Sequence, residues 1–132
     1  QSNTFEGVYA QSKAIISSKN YIFQPRFVFN NKKRQAIAAN TNSLVVNKGK
    51  ATVTISPLEF SNIDTLQLNG KITNYKADFN DDTKTSTVEF KIEKLEEVFS
   101  FYITVATNGN VFLVVNSSKA YQLSYTGKII GN

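Results

Sequence analysis

The chain has 132 residues, 41% apolar and 19% charged, with a net charge of +5; that is enough for one domain with a proper core, and no apolar run approaches the length of a membrane-spanning helix. It contains no Cys, His, Met or Trp. Without His and Cys there can be no Ser-His-Asp or Cys-His apparatus, no disulfide and no thiolate zinc site, so any catalysis would fall to Asp, Glu, Lys, Tyr and Ser.

The first twenty residues carry a helical period. Phe5, Val8, Tyr9, Ser12, Ile15 and Ile16 form one stripe, which predicts an amphipathic helix over about residues 4–18. Asn3, three places before Glu6, resembles a capping box. Ser17-Ser18-Lys19-Asn20 ends the pattern.

From Tyr21 the period is two. Tyr21, Phe23, Phe27 and Phe29 read as one strand face, interrupted by Pro25. Proline cannot donate to a ladder, so this strand is expected at an edge or bulged. Lys32-Lys33-Arg34 is the one basic cluster; a solvated turn explains it, and nothing forms the basic stripe that nucleic acid requires. Leu44-Val45-Val46 and Ala51, Val53 and Ile55 flank Asn47-Lys48-Gly49-Lys50, a hairpin signal. Residues 56–65 around Pro57 are expected as a loop. Leu66 and Leu68 resume the alternation, and 72–79 continue it.

Residues 78–89, DFNDDTKTSTVE, invite a metal reading, because Asp78, Asn80 and Asp82 alternate and Glu89 closes a twelve-residue span. A calcium loop of this type needs Gly at its sixth position and a helix on each side. Here that position is Thr83, and both flanks keep a strand period. The expectation is a hairpin turn built on Asp and Asn, with a weak cation site at Asp78, Asn80 and Asp82 as the rival. Glu59, Asp64, Glu96 and Glu97 offer turn charges and no evident catalytic pair.

The C-terminal half alternates cleanly. Val88, Phe90 and Ile92 oppose Glu89, Lys91 and Glu93; Phe99, Phe101, Ile103 and Val105 follow a Leu95-Glu96-Glu97 turn. Asn108-Gly109 is a strong two-residue turn signal. Val111 to Val115 is apolar throughout, which predicts a strand covered on both faces. Tyr121, Leu123 and Tyr125 close the series. The sum is a mainly β chain of 1–132 as a single domain. Its antiparallel meander, about residues 21–130, has eight or nine strands curled into a barrel, half-barrel or sandwich, with the N-terminal helix packed on it.

Three stretches, SSKNYIF, LNGKITNY and FSFYITVATNGNVFLVVNSSKAYQLSYTGKI, follow one another in an order that resembles domain-of-unknown-function family 4251, small exported proteins and lipoproteins of Bacteroidetes. Ser18 to Phe23 match its helix-ending stretch, and Leu68, Gly70, Ile72, Asn74 and Tyr75 match its central segment. Phe101, Gly109, Val111 to Val115 and Ser124 to Ile129 match its closing pattern. The likeness spans about residues 14–130. The family's Leu-Pro-Tyr-x-Gly-like stretch is replaced by Ser56-Pro57-Leu58-Glu59-Phe60-Ser61. The resemblance implies an exported, mostly β domain without an assigned reaction, and a start at Gln1 without Met agrees with removal of a signal peptide. A Cys ahead of Gln1 would make the precursor a lipoprotein.

The functional expectation is a non-enzymatic cell-envelope binding domain, needing no cofactor, that holds an apolar, sugar-like or peptide ligand on a concave aromatic face. The candidate residues are Tyr75, Phe101 and Tyr125, with Pro57, Leu58 and Phe60 from the loop; the plainer reading of these aromatics is core. The alternative is an assembly module recruiting another chain along the Pro25 edge strand, and the third reading is a carboxylate-based hydrolase.

Overall fold

Strand pairing, followed from neighbour to neighbour, returns to its starting point. The computed structural model describes residues 4–38, 41–59, 64–119 and 122–132. A helix, α1 (Phe5–Ser17), precedes β1 (Asn20–Phe29), β2 (Arg34–Ala36), β3 (Ser43–Asn47), β4 (Lys50–Ile55), β5 (Leu66–Asn80), β6 (Thr85–Lys94), β7 (Glu97–Val105), β8 (Val111–Ser117) and β9 (Gln122–Gly131). From β3 to β9 each strand pairs antiparallel with the next, and β9 pairs with β1 from Tyr21 opposite Gly131 to Phe29 opposite Ser124. The first part of β1 pairs with β3 and its last part with the short β2. The expected meander is therefore a closed eight-stranded barrel with one added strand.

Alternation explains what fills it. Along β6, Ser86, Val88, Phe90 and Ile92 are buried while Thr87, Glu89, Lys91 and Glu93 face solvent. Phe90 lies opposite Phe101 on β7, and the two rings stack with centroids 5.0 Å apart. Tyr21, Phe23, Leu44, Ile103, Leu113 and Tyr125 complete a packed interior. Eight strands leave room for side chains or for one small ligand, and here side chains take the space.

The helix begins one residue later than the capping-box pattern suggests. Thr4 is the N-cap, its hydroxyl accepting from the Gly7 N–H at 3.0 Å; Asn3 lies outside the described residues. Tyr9, Ser12 and Ile16 form the buried stripe, packed against β1, β5, β6 and β9. Strand β8 is not covered on both faces as expected. Val111, Leu113 and Val115 point inward, while Phe112 is 37% exposed on the outer wall.

Pro25 marks a bulge and not an edge. The β1–β9 register shifts between Pro25 and Phe27, so an extra residue absorbs the missing N–H. Its consequence is a change of phase. Tyr21 and Phe23 point inward, but beyond the bulge Val28 takes the inward position. Phe27 and Phe29 do not share the face of Tyr21 and Phe23 as the plain period-two reading supposed. Closure with β9 and pairing with β2 also leave residues 27–29 flanked on both sides, so the edge expected there for assembly does not exist.

Candidate functional site

The residues singled out from the sequence separate into different parts of the barrel. Phe101 and Tyr125 have no exposed surface. Phe101 stacks on Phe90, and the Tyr125 hydroxyl donates to the Ser56 carbonyl at 2.9 Å. Both are core, because the closed barrel turns the expected concave face into a filled interior. Tyr75 is half-buried at the helix-covered end. Its hydroxyl lies 2.9 Å from that of Tyr21, its ring stacks against Phe90 at 6.0 Å, and the Lys19 ammonium sits 5.1 Å above it. Burial raises the Tyr75 hydroxyl above its ordinary pKa, and burial followed by the Tyr75 bond raises that of Tyr21 further, so the pair holds its protons.

Pro57 and Leu58 are half-buried, and Leu58 packs on the core. The start of their loop is anchored through Ser56, whose N–H donates to the side chain of buried Asn42 at 2.7 Å while its carbonyl takes the Tyr125 hydroxyl. Phe60 lies outside the described residues.

The acidic bend is a turn with an internal job. The Asn80 side-chain oxygen accepts from the N–H groups of Asp82 and Thr83, each at 3.0 Å, the local closure that makes Asn favourable in turns. Asp78 pairs with Lys76 at 3.6 Å, and Asp81, between the suggested ligands, is bound to Tyr9 of the helix. Among the described residues no group of three or more His, Cys, Asp or Glu is arranged to hold a metal. Of the other carboxylates, Glu59, Asp64 and Glu96 are exposed, and half-buried Glu97 accepts from Ser117; Asp64 and Glu97 line one open cleft.

A different surface has the makings of a site. Where β1, β2, β8 and β9 meet on the outer wall, a groove of about 410 Å³ is lined by Arg26, Phe27, Arg34, Phe112, Thr126 and Lys128, among others. Its floor follows from register. Phe27 lies opposite Thr126, and Thr126 opposite Phe112, so three neighbouring strands present an aromatic–threonine–aromatic row to solvent. The bulge at Pro25 is what turns Phe27 to this face. The Arg34 guanidinium then rests 3.9 Å from the Phe27 ring centroid, a contact that uses the ring's negative face.

Electrostatics give the groove its sign. Arg26, Arg34 and Lys128 line it, and among the described residues no carboxylate does. The ion pairs of the described residues lie elsewhere, at Lys13–Asp81 and Lys76–Asp78. A planar guanidinium held over a ring keeps its donor edge free for a carboxylate, sulfate or phosphate. A volume in the range of small-molecule sites, apolar floor and polar anchors are the usual ingredients of such a site. Sequence reading passed over these residues. Lys32-Lys33-Arg34 reads as a solvated turn, and Phe27 reads as sharing a strand face with Tyr21 and Phe23; the one local signal is Pro25, which allows a bulge as well as an edge.

The profile of the DUF4251 family, a domain of unknown function, matches residues 6–129. The fold is similar to the crystal structure of a DUF4251 family protein from Bacteroides eggerthii, with a TM-score of 0.81 and 16% identity over 96% of this chain and 89% of that one. At that identity the likeness speaks for the fold alone. No curated protein matches the sequence.

Proposed function

The chain belongs to the DUF4251 family, and we propose that it is a non-enzymatic binding domain of the cell envelope whose ligand sits on the outer wall of the barrel. The ligand class is an anion with a flat or apolar face, of which an acidic sugar is the simplest example. The carrying observation is the Arg34 guanidinium stacked on Phe27 in a groove that also holds Phe112, Arg26 and Lys128 and, among the described residues, no carboxylate. Sugars use their apolar faces against aromatic rings, and the acidic group would meet the arginine fork. A non-enzymatic role is supported by the lack of His and Cys and by the exposure of most of the carboxylates. The exported location rests on the family resemblance; fractionation of cells expressing the full-length precursor, with recovery in the cytoplasm, would refute it.

The test of binding is calorimetric titration with an oligogalacturonate and with a neutral oligosaccharide of equal length. The acidic probe is expected to bind with an affinity that falls with salt, and Arg34→Glu or Phe112→Ala is expected to weaken it by about tenfold or more. Equal binding of the neutral probe, or indifference to both substitutions, would sink the proposal.

A further inference from the structure

Strand β5 is fifteen residues long, and its two neighbours divide it. β4 pairs with it from Leu66 to Lys71, and β6 only from Ile72 to Asn80. β6 can reach no further, because Leu95 and Glu96, with φ of 49° and 66°, reverse the chain into β7. On the β6 side, no strand among the described residues is paired with residues 66–71.

In an antiparallel ladder alternate residues direct their N–H and C=O to opposite sides. Two contacts set the phase. The Ile72 N–H donates to Gly49 on the β4 side at 2.8 Å, and the Lys94 ammonium donates to the Gln67 carbonyl from the β6 side at 3.2 Å. Gln67 and Asn69 therefore address the open side. Two clefts of about 430 and 350 Å³ run along this edge and share Gln67, Leu68 and Lys94.

Leu95 adds a second, independent observation. It lines the larger cleft and is 85% exposed. It also occupies a left-handed position, where Asn, Asp or Gly fits at least cost and a large apolar residue is uncommon. Neither burial nor turn chemistry accounts for leucine here, and a strand laid along this edge would give it an apolar contact.

We propose that this edge accepts an extended peptide segment of another protein, added as a strand alongside β5. Its backbone would pair with Gln67 and Asn69, and one apolar side chain would pack on Leu95. An acidic side chain would take the Lys94 ammonium, which leaves the Gln67 carbonyl as the strand enters. Main-chain pairing of this kind supplies affinity, and the alternating side chains supply selectivity. The edge lies on β5 and the basic groove on β1, β2, β8 and β9, so the two sites stand or fall separately.

The test follows backbone amides by NMR in the whole chain. Without peptide, the amides of Gln67 and Asn69 are expected to exchange with solvent faster than the amides paired between β6 and β7. Protection of both in the isolated chain would overturn the proposal, and protection that grows with protein concentration would replace the peptide with a second copy. A synthetic peptide alternating valine and threonine about one glutamate is expected to shift those two amides. Leu95→Asn, which suits the turn better and so keeps the fold, is expected to weaken the peptide by about tenfold. Gln67→Pro, which deletes one outward N–H while sparing the β4 ladder, is expected to do the same. Binding that survives both substitutions, or no shift at Gln67 and Asn69, would refute the edge as the site.

Discussion

The Tyr9 hydroxyl donates to the Asp81 carboxylate at 2.5 Å, joining the helix to a turn seventy-two residues away. Lys13 reinforces the contact from the next helical turn, its ammonium 3.6 Å from the same carboxylate and over the rings of Tyr9 and Phe79. The acidic bend that first suggests a cation site thus works as a clasp for α1. The cation it meets is a lysine of the same chain.

The clasp predicts a two-sided pH dependence. The bond to Tyr9, then Lys13, holds the Asp81 carboxyl below its ordinary 3.8, so its contribution is present above that value and is lost as the pH falls through the folded pKa. The same bond, then burial, pushes Tyr9 from 10 up to about 12. That contribution is present below 10 and is lost as the pH rises through about 12. At neutral pH, Tyr9→Phe and Asp81→Asn should each lower the unfolding temperature by a few degrees. The gap to the unsubstituted chain should close at both pH extremes. Thermal unfolding across the pH range measures this, and parallel profiles would count against the clasp.

Gly127 predicts where the barrel is least forgiving. It lies opposite Pro25, at the shift of register between β1 and β9. A Cβ there would stand 2.0 Å from the Gln24 carbonyl oxygen and 2.8 Å from the Pro25 Cα. Both are backbone atoms and cannot swing aside as a side chain end would. Gly127→Ala should therefore cost at least about 3 kcal/mol, the upper end of ordinary overpacking. Gly49→Ala, which meets nothing within 4 Å, should stay within about 0.5 kcal/mol. Chemical denaturation of the two variants gives the comparison.

Side-chain alternation made β6 and β7 legible residue by residue, because each keeps one phase from end to end. Asn80 likewise announced its turn through local chemistry. The phase of β1 was not legible, because a period-two reading assumes no inserted residue, and Pro25 allows an edge as readily as a bulge. Closure of β1 on β9 rests on pairing across about a hundred residues, which no local pattern encodes. Gly127 could be matched as part of a motif, but its reason is the approach of another strand's backbone. The basic groove was least visible of all. It draws Arg26, Arg34, Phe112 and Lys128 from distant stretches, each of which alone reads as ordinary surface. Phe101 and Tyr125 show the converse, since an aromatic residue at strand spacing does not reveal whether the face it lines is open or filled.

That last distinction can be put to measurement. Phe101→Ala removes a fully buried ring that stacks on Phe90, and such truncations cost about 3–5 kcal/mol. Tyr125→Phe keeps the ring and strands the Ser56 carbonyl that its hydroxyl satisfies, a loss of about 1–3 kcal/mol. Neither touches the outer wall, so the affinity of Tyr125→Phe for an oligogalacturonate should equal that of the unsubstituted chain. Phe112→Ala should behave in the opposite way. Its side chain is 37% exposed, so stability should change little while the affinity falls. The two variants thus exchange their effects if the interior is core and the groove is the site. A Tyr125→Phe variant that folds as firmly as before but binds less would move the ligand back inside the barrel.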